Sequence, residues 1–172
     1  MSLFNLTFLL KKWDESGSQI QQLRKRVFMD EFELPMNFLR HKDDQERYHI
    51  VAYEDLTGVP VGTGCLHPDG HIGRIAILPR WRKTHSVGHV LVDYIMHIAR
   101  AQKMQRVWLN ASLQCLDYFD RHSFYPQGEF FRYCGLDLIK IESYLEVRYD
   151  YIRPRPKTST ASVTALRPDR LV

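Results

Sequence analysis

The sequence predicts an α/β (α+β) domain in which a mixed, mostly antiparallel sheet of about seven strands carries helices on both faces. Three observations point there. Residues 71–100, HIGRIAILPRWRKTHSVGHVLVDYIMHIAR, read as a strand, a cationic loop and a helix in succession. Upstream, two runs of β-forming residues joined by Asp55-Leu56-Thr57-Gly58 read as a hairpin. Downstream, a short helical stretch precedes two more strands. Strands joined first by hairpins and later by a helical crossover require a sheet of mixed direction.

Taken in order, residues 4–10 read as a first strand. A helix follows over 13–33, where Ile20, Leu23, Val27 and Phe28 recur on one side while Arg24, Lys25 and Arg26 fall mostly on the other. Pro35 stops it. Residues 36–47 mix polarities with no sustained period and are expected as loop or a short surface helix. Residues 48–53 and 61–66 supply the hairpin strands, and Pro68-Asp69-Gly70 turns the chain into the strand at 71–78.

In that strand the apolar parity changes between Ile72 and the pair Ile75 and Ile77, with Gly73 between them. One extra residue in a ladder produces such a shift, so a β-bulge is expected near residues 73–75. Pro79 ends the strand and Arg80, Arg82 and Lys83 make the loop cationic. Val87, Val90, Leu91, Tyr94, Ile95 and Ile98 then set one apolar stripe of a helix. A strand at 106–111, a short helix at 113–122 and strands at 128–133 and 136–141 complete the order β-α-β-β-β-α-β-α-β-β.

Charge and composition narrow the classes. The net charge of +4 resides in the end of the chain: after residue 152 stand Arg153, Arg155, Lys157, Arg167 and Arg170 against Asp169 alone, which leaves nineteen residues of each sign elsewhere. A neutral body argues against a nucleic-acid groove, although the basic tail could touch an anionic partner weakly. Residues 1–146 are expected as one domain, and residues 147–172 as a basic tail containing Pro, Ser and Thr, with room for a homodimer. No apolar run nears the ~20 residues of a membrane span and the first residues lack signal-peptide features, so a soluble, cytoplasmic, membrane-free chain is expected. Cys65, Cys115 and Cys134 form neither a disulfide framework nor a zinc spacing and are expected as buried thiols. His67 and His71 flank a turn, but no further ligand completes a metal set. Phe130, Phe131, Tyr133 and Tyr144 are expected in core and edge packing, with a substrate wall as the alternative.

A strand-loop-helix unit aims backbone N–H groups and the positive end of the helix dipole at one point, where a phosphate binds well. Together with that unit, the order of elements, the run Ile72-Gly73-Arg74-Ile75-Ala76-Ile77, the Pro79-x-x-Arg82 step and the Leu109-Asn110-Ala111 strand resemble the GNAT superfamily of N-acetyltransferases. Arg24, Val27, Phe28, Glu31, Asp44, His49 and Phe124 bring the resemblance closer to the ElaA-like branch, over residues 3–142.

The resemblance implies acetyl-CoA as cosubstrate, lying as a pseudo-strand where the parallel strands at 71–78 and 106–111 splay apart at the bulge. Backbone groups of Ile75, Ala76 and Ile77 would hold the pantetheine arm, and one N–H would polarise the thioester carbonyl. Arg82, Lys83, His85, Val87 and Gly88 would surround the pyrophosphate, with Asn110 and Phe119 also lining the cofactor. Asp44 and His49, with Asp43 and Glu46 nearby, supply a general base or a solvated surface; Glu31 meets a cationic substrate or a neighbouring arginine.

Two departures stand out. The family's loop reads Arg-Gly-x-Gly-x-Gly; here Lys83, His85 and Val87 occupy the glycine positions, and Gly88 comes one place late. The family's Phe-Tyr-x-x-x-Gly-Phe, whose tyrosine protonates the leaving thiolate, reads Tyr118-Phe119-Asp120-Arg121-His122-Ser123-Phe124. The phenol has moved by one residue, about 100° around a helix. The expected activity is metal-free transfer of an acetyl group to an amine of a small molecule or peptide, with Tyr118 as candidate acid. The alternative is a catalytically impaired GNAT-fold protein that binds CoA or a protein partner.

Overall fold

The computed structural model describes residues 6–83 and 86–145. His85 of the loop and the tail from residue 147 lie outside the described residues. Among those described, seven strands split the expected sheet into two. β1 (Leu6–Lys11), β2 (Tyr48–Glu54), β3 (Pro60–Leu66) and β4 (Ile72–Ile77) form an antiparallel meander. β5 (Arg106–Ser112), β6 (Tyr125–Tyr133) and β7 (Leu136–Tyr144) form a second antiparallel sheet in the order β5-β7-β6. The parallel bridge His71 to Trp108 joins the two.

β2 shows why helices cover both faces. Successive side chains of a strand point to opposite sides. Ile50 and Ala52 enter the core shared with Leu91 and Ile95 of α2 (Val87–Ala101), while Val51 and Tyr53 meet Trp13 and Ile20 of α1 (Trp13–Arg24). Of the expected α2 stripe, Val87, Leu91, Ile95 and Ile98 are buried and Val90 and Tyr94 only partly so. Each full burial of a Leu or Ile contributes about 1.5–3 kcal/mol. The helix approaches closely because β3 carries glycine there; a Cβ on Gly64 would stand 3.1 Å from Ile95 Cδ1.

α1 ends earlier than its periodicity implies, passing into a π-helical turn at Lys25–Met29 before Glu33, at φ +54°, breaks the helix ahead of Pro35. Arg24, expected on the outer side, is 0% exposed. Its reason is Asp44, described below. Residues 36–47 hold two 3-10 turns, Met36–Phe38 and Asp44–Glu46. A 3-10 turn at Leu113–Cys115 leads into the short α3 (Leu116–Asp120). β6 starts before the expected residue 128 because the strand absorbs Gly128, at φ +75°, in a register shift between Gln127 and Phe131.

Two expectations about packing are corrected. Cys65 and Cys115 are buried, but Cys134 is exposed in the β6–β7 turn, where it and Gly135 both take positive φ. Phe130, Phe131 and Tyr133, on the edge strand β6, and Tyr144, the last residue of β7, are all exposed rather than in the core. No helix among the described residues is long and apolar enough to cross a membrane.

Candidate active site

At the bridge the Trp108 N–H reaches the Gly70 carbonyl at 2.9 Å and the rings of His71 and Trp108 stack at 4.2 Å. Beyond it β4 and β5 part. The expected bulge lies here: Thr63 pairs with Ala76 and Cys65 with Gly73, so Arg74 and Ile75 together oppose the single Gly64. Arg74 takes a φ of +55°, which costs a non-glycine residue about 1–2 kcal/mol and persists only because its surroundings hold it. Leu78 donates its N–H to Val61 on β3. By the two-residue alternation of a strand, the peptide groups of Ile77, and of Ile75 before it, face the gap instead.

Two cavities open into that gap. One of about 160 Å³ is walled by Ser112, Cys115 and Phe119 on the α3 side. The other, about 250 Å³, is walled by Phe28, Phe38, Arg47, His71 and Tyr133. Both share residues 72–75, Asn110, Leu136 and Leu138, so they meet at the bulge. An extended guest with donors and acceptors along its length fits such a gap, since a strand edge offers matching groups. α2 begins after Ser86, which sits at φ +49° and makes no side-chain cap bond among the described residues, and the first N–H groups of a helix favour an anion.

Arg82 is committed elsewhere than expected. Its Nε–H donates to the Ile77 carbonyl at 2.8 Å, and its two Nη groups donate to the Glu31 carboxylate at 2.6 and 2.5 Å. Of the two roles open to Glu31, the structure shows the arginine partner. Phe32 backs the guanidinium at 5.4 Å. Lys83 is exposed, and the Val87 side chain is core, 0% exposed.

Phe119 and Tyr118 diverge. Phe119 is 4% exposed, lines the smaller cavity and packs on Phe124 at 5.7 Å. Tyr118 turns toward the first turn of α2, stacking on His89 at 4.1 Å, and its hydroxyl is buried without a hydrogen-bond partner among the described residues. That oxygen lies 2.6 Å from where a Cβ on residue 88 would be, so Gly88 makes room for it. Burial, and then the charge of Asp93, push the phenol above its usual range. Sequence reasoning missed the neighbours: His89 Nδ1 is 2.9 Å from His122 Nε2, and His122 Nδ1 is 2.9 Å from an Asp93 oxygen. A carboxylate only accepts, so neutral His122 carries its proton on Nδ1 and accepts at Nε2 from the His89 Nδ1–H. The His89-x-x-x-Asp93 spacing, one helical turn, was the available signal; His122 gave none.

Asp44 and His49, expected as a general base, are sealed inside. Asp44 is 1% exposed and takes two bonds from Arg24, at 2.9 and 3.2 Å, and one from the His41 N–H at 2.7 Å. Burial alone would raise its carboxyl, but the Arg24 bonds and charge outweigh that and hold it below the usual carboxylate range. His49, 0% exposed, places Nε2 at 2.6 Å from the Asp44 carbonyl, so Nε2 carries the proton. Burial, helped by the Arg24 charge, keeps the ring neutral. Neither group lines the gap. His67 lies 2.9 Å from Asp69, and among the described residues no three His, Cys, Asp or Glu side chains gather as a metal site.

Arg47 and Arg74, by contrast, do line the larger cavity. Arg74 was legible as a charge at the parity shift. Arg47 looked like loop.

Residues 17–124 match the model of the acetyltransferase (GNAT) family. An amino-acid acetyltransferase of Mycobacterium tuberculosis is 30% identical over 95 residues, 53% of each chain, so the match spans about half the length of that relative. Among solved structures, an acyl-CoA N-acyltransferase from Pseudomonas aeruginosa superposes with a TM-score of 0.72 at 21% identity, over 80% of this chain and 98% of its own. Escherichia coli ElaA gives 0.71 at 18% identity, over 80% and 98%. These two likenesses establish the fold.

Proposed function

The chain belongs to the GNAT acetyltransferase family, and from that premise we propose that it transfers an acetyl group from acetyl-CoA directly to the amine of a small molecule or peptide. The observation that carries this reading is the gap between β4 and β5 at the Arg74–Ile75 bulge, open from both sides. Acetyl-CoA enters along β4, with its phosphates toward the start of α2 and its pantetheine beside Ile75, Ala76 and Ile77. Since the Ile77 carbonyl is held by Arg82, Ile77 contributes its N–H. The N–H of Ile75 or Ile77 polarises the thioester carbonyl. Lys83, with His85, attends the phosphates, and Asn110 and Phe119 flank the arm.

The acceptor amine enters from the larger cavity. Its nitrogen attacks the carbonyl carbon, a C–N bond forms, the C–S bond breaks, and the thiolate leaves with the electron pair. The ammonium proton passes to water and the thiolate collects its own from water. Phe119 occupies the position beside the arm where an acid would stand, and it carries none.

A second reading is favoured by Phe119 and by the bulky residues at the loop's glycine positions: a GNAT-fold protein that binds CoA or a protein partner and turns over poorly. Calorimetric titration with acetyl-CoA, followed by a screen of amines for thiol release, separates the two. Binding with release supports transfer, binding without release supports the second reading, and no binding at millimolar acetyl-CoA rejects transfer and leaves of the second reading only the protein partner.

A further inference from the structure

The acceptor cavity is cationic and has no anion of its own. Among its lining residues stand Arg47 and Arg74, and no Asp or Glu. Arg47 is 8% exposed, and its contacts are weak: Nη2 to His41 Nδ1 at 3.4 Å and Nη1 to Cys65 Sγ at 3.7 Å. Arg74 donates to the Asn37 carbonyl at 3.1 Å and lies over the Phe38 ring at 4.9 Å. The Nε of each is buried without a hydrogen-bond partner among the described residues. Neither arginine meets a carboxylate among the described residues.

Asp44, the carboxylate that acts electrostatically on Arg74, is already held two-fold by Arg24. Asp43, the other acid nearby, faces His41 Nδ1 at 3.4 Å, so Arg47 and Arg74 bring two positive charges to a cavity whose described lining holds no carboxylate. Such charges are costly unless an opposite charge enters, and a guanidinium fork matches a carboxylate two-fold. The rest of the wall is apolar and aromatic: Phe28, Phe38, Tyr133, Leu136 and Leu138.

Resting on the acyltransferase reading, we infer that the acceptor is an amine bearing a carboxylate and an apolar flank, of amino-acid size. Its carboxylate pairs with Arg47 and Arg74, and its amine is thereby directed to the bulge where the two cavities meet. The lining histidines do not compete for it. Burial and then the Arg47 charge lower both His41 and His71, His71 to about 4, so both are neutral at pH 7. Arg74 also lines the smaller cavity, whereas Arg47 lines only the larger of the two, so Arg47 separates the carboxylate contact from acetyl-CoA binding.

The test uses matched probes on the full chain: L-phenylalanine and L-leucine against phenethylamine, isoamylamine and the two amino-acid amides. Thiol release at saturating acetyl-CoA is expected to give kcat/KM at least about tenfold higher for the acids, the scale of one charge-assisted pair. Arg47→Gln is expected to drop that acid-to-amine ratio toward one while the acetyl-CoA dissociation constant moves less than about twofold, well under the tenfold that one lost pair represents. Arg47→Lys, which keeps charge but loses the fork, is expected to lower the ratio partly, with circular dichroism checking the fold. Equal or better turnover of the neutral amines, or an acetyl-CoA constant that weakens tenfold with Arg47→Gln, overturns the inference. Calorimetric binding of L-phenylalanine to the chain alone is read in parallel. If it binds through Arg47 and no acetyl transfer occurs, the acyltransferase reading fails while the carboxylate site stands; if it does not bind and is not acetylated, the inference fails.

Discussion

The Tyr118 hydroxyl occupies the hole left by the missing side chain of Gly88, 2.6 Å from the place of its Cβ. The glycine that the loop retains thus serves a phenol on another helix. Gly88→Ala should cost about 1–3 kcal/mol of stability, the range for overpacking a filled core site. Tyr118→Phe removes a buried hydroxyl with no partner and should be nearly neutral. In the double variant the alanine penalty should shrink, and urea denaturation of all four proteins reads that coupling. An unchanged midpoint for Gly88→Ala would contradict the packing.

The divergence of Tyr118 and Phe119 sets a kinetic prediction. Phe119 lines the smaller of the two cavities at the bulge and Tyr118 does not. Phe119→Tyr should therefore raise kcat, toward the ~10²-fold lower end of positioned acid catalysis, while Tyr118→Phe changes little. The reverse pattern, with Tyr118→Phe abolishing turnover, would make Tyr118 the acid despite its raised pKa.

Acid stability should fall in two stages. His71 titrates at about 4 in the fold against 6.5 in the unfolded chain. Below pH 6.5 the unfolded chain takes up a proton that the folded ring refuses, so stability is lost as pH falls from 6.5 to 4. His49, also lowered, adds to that stage. Asp44 sits below its ordinary 3.8, so its contribution is complete above that value and is lost only at lower pH. His71→Phe, which keeps a ring on Trp108, should flatten the first stage. Asp44→Asn should cost about 3–5 kcal/mol at pH 7, because it leaves Arg24 buried without its charge partner. Urea midpoints measured from pH 7 to pH 3 show both effects; a pH-independent midpoint above pH 4 in wild type would refute the histidine contribution.

Local pattern announced what local pattern governs. The parity shift between Ile72 and Ile75 revealed the bulge, since one unpaired residue must flip the alternation that follows it. The α2 stripe was readable for the same reason. What stayed hidden depends on partners distant in sequence. Nothing near Arg24 marks it as buried, because its partner Asp44 lies twenty residues on and only the fold joins them. Glu31 and Arg82, or Asp93 and His122, likewise meet only across elements. The charge of the larger cavity was invisible because it is a difference, Arg47 and Arg74 gathered with no Asp or Glu among the described lining residues.

The pair of Glu31 and Arg82 carries the last prediction. Arg82 ties the loop to β4 through the Ile77 carbonyl and to the first helical segment through Glu31, and its side chain is only 9% exposed. If this clasp shapes the loop for the phosphates, Arg82→Ala should weaken acetyl-CoA binding by about 1–3 kcal/mol. Glu31→Gln should weaken it in the same direction, because the fork loses its carboxylate. The double variant should lose little more than the worse single one, as members of one unit do. Direct contact of Arg82 with the pyrophosphate predicts the opposite for Glu31: with its competitor neutralised, the guanidinium is released toward the phosphates and Glu31→Gln tightens binding. Calorimetric titration of the three variants with acetyl-CoA decides by sign. Tighter binding in Glu31→Gln rejects the clasp, and equal loss in all three establishes that Glu31 and Arg82 act as one element.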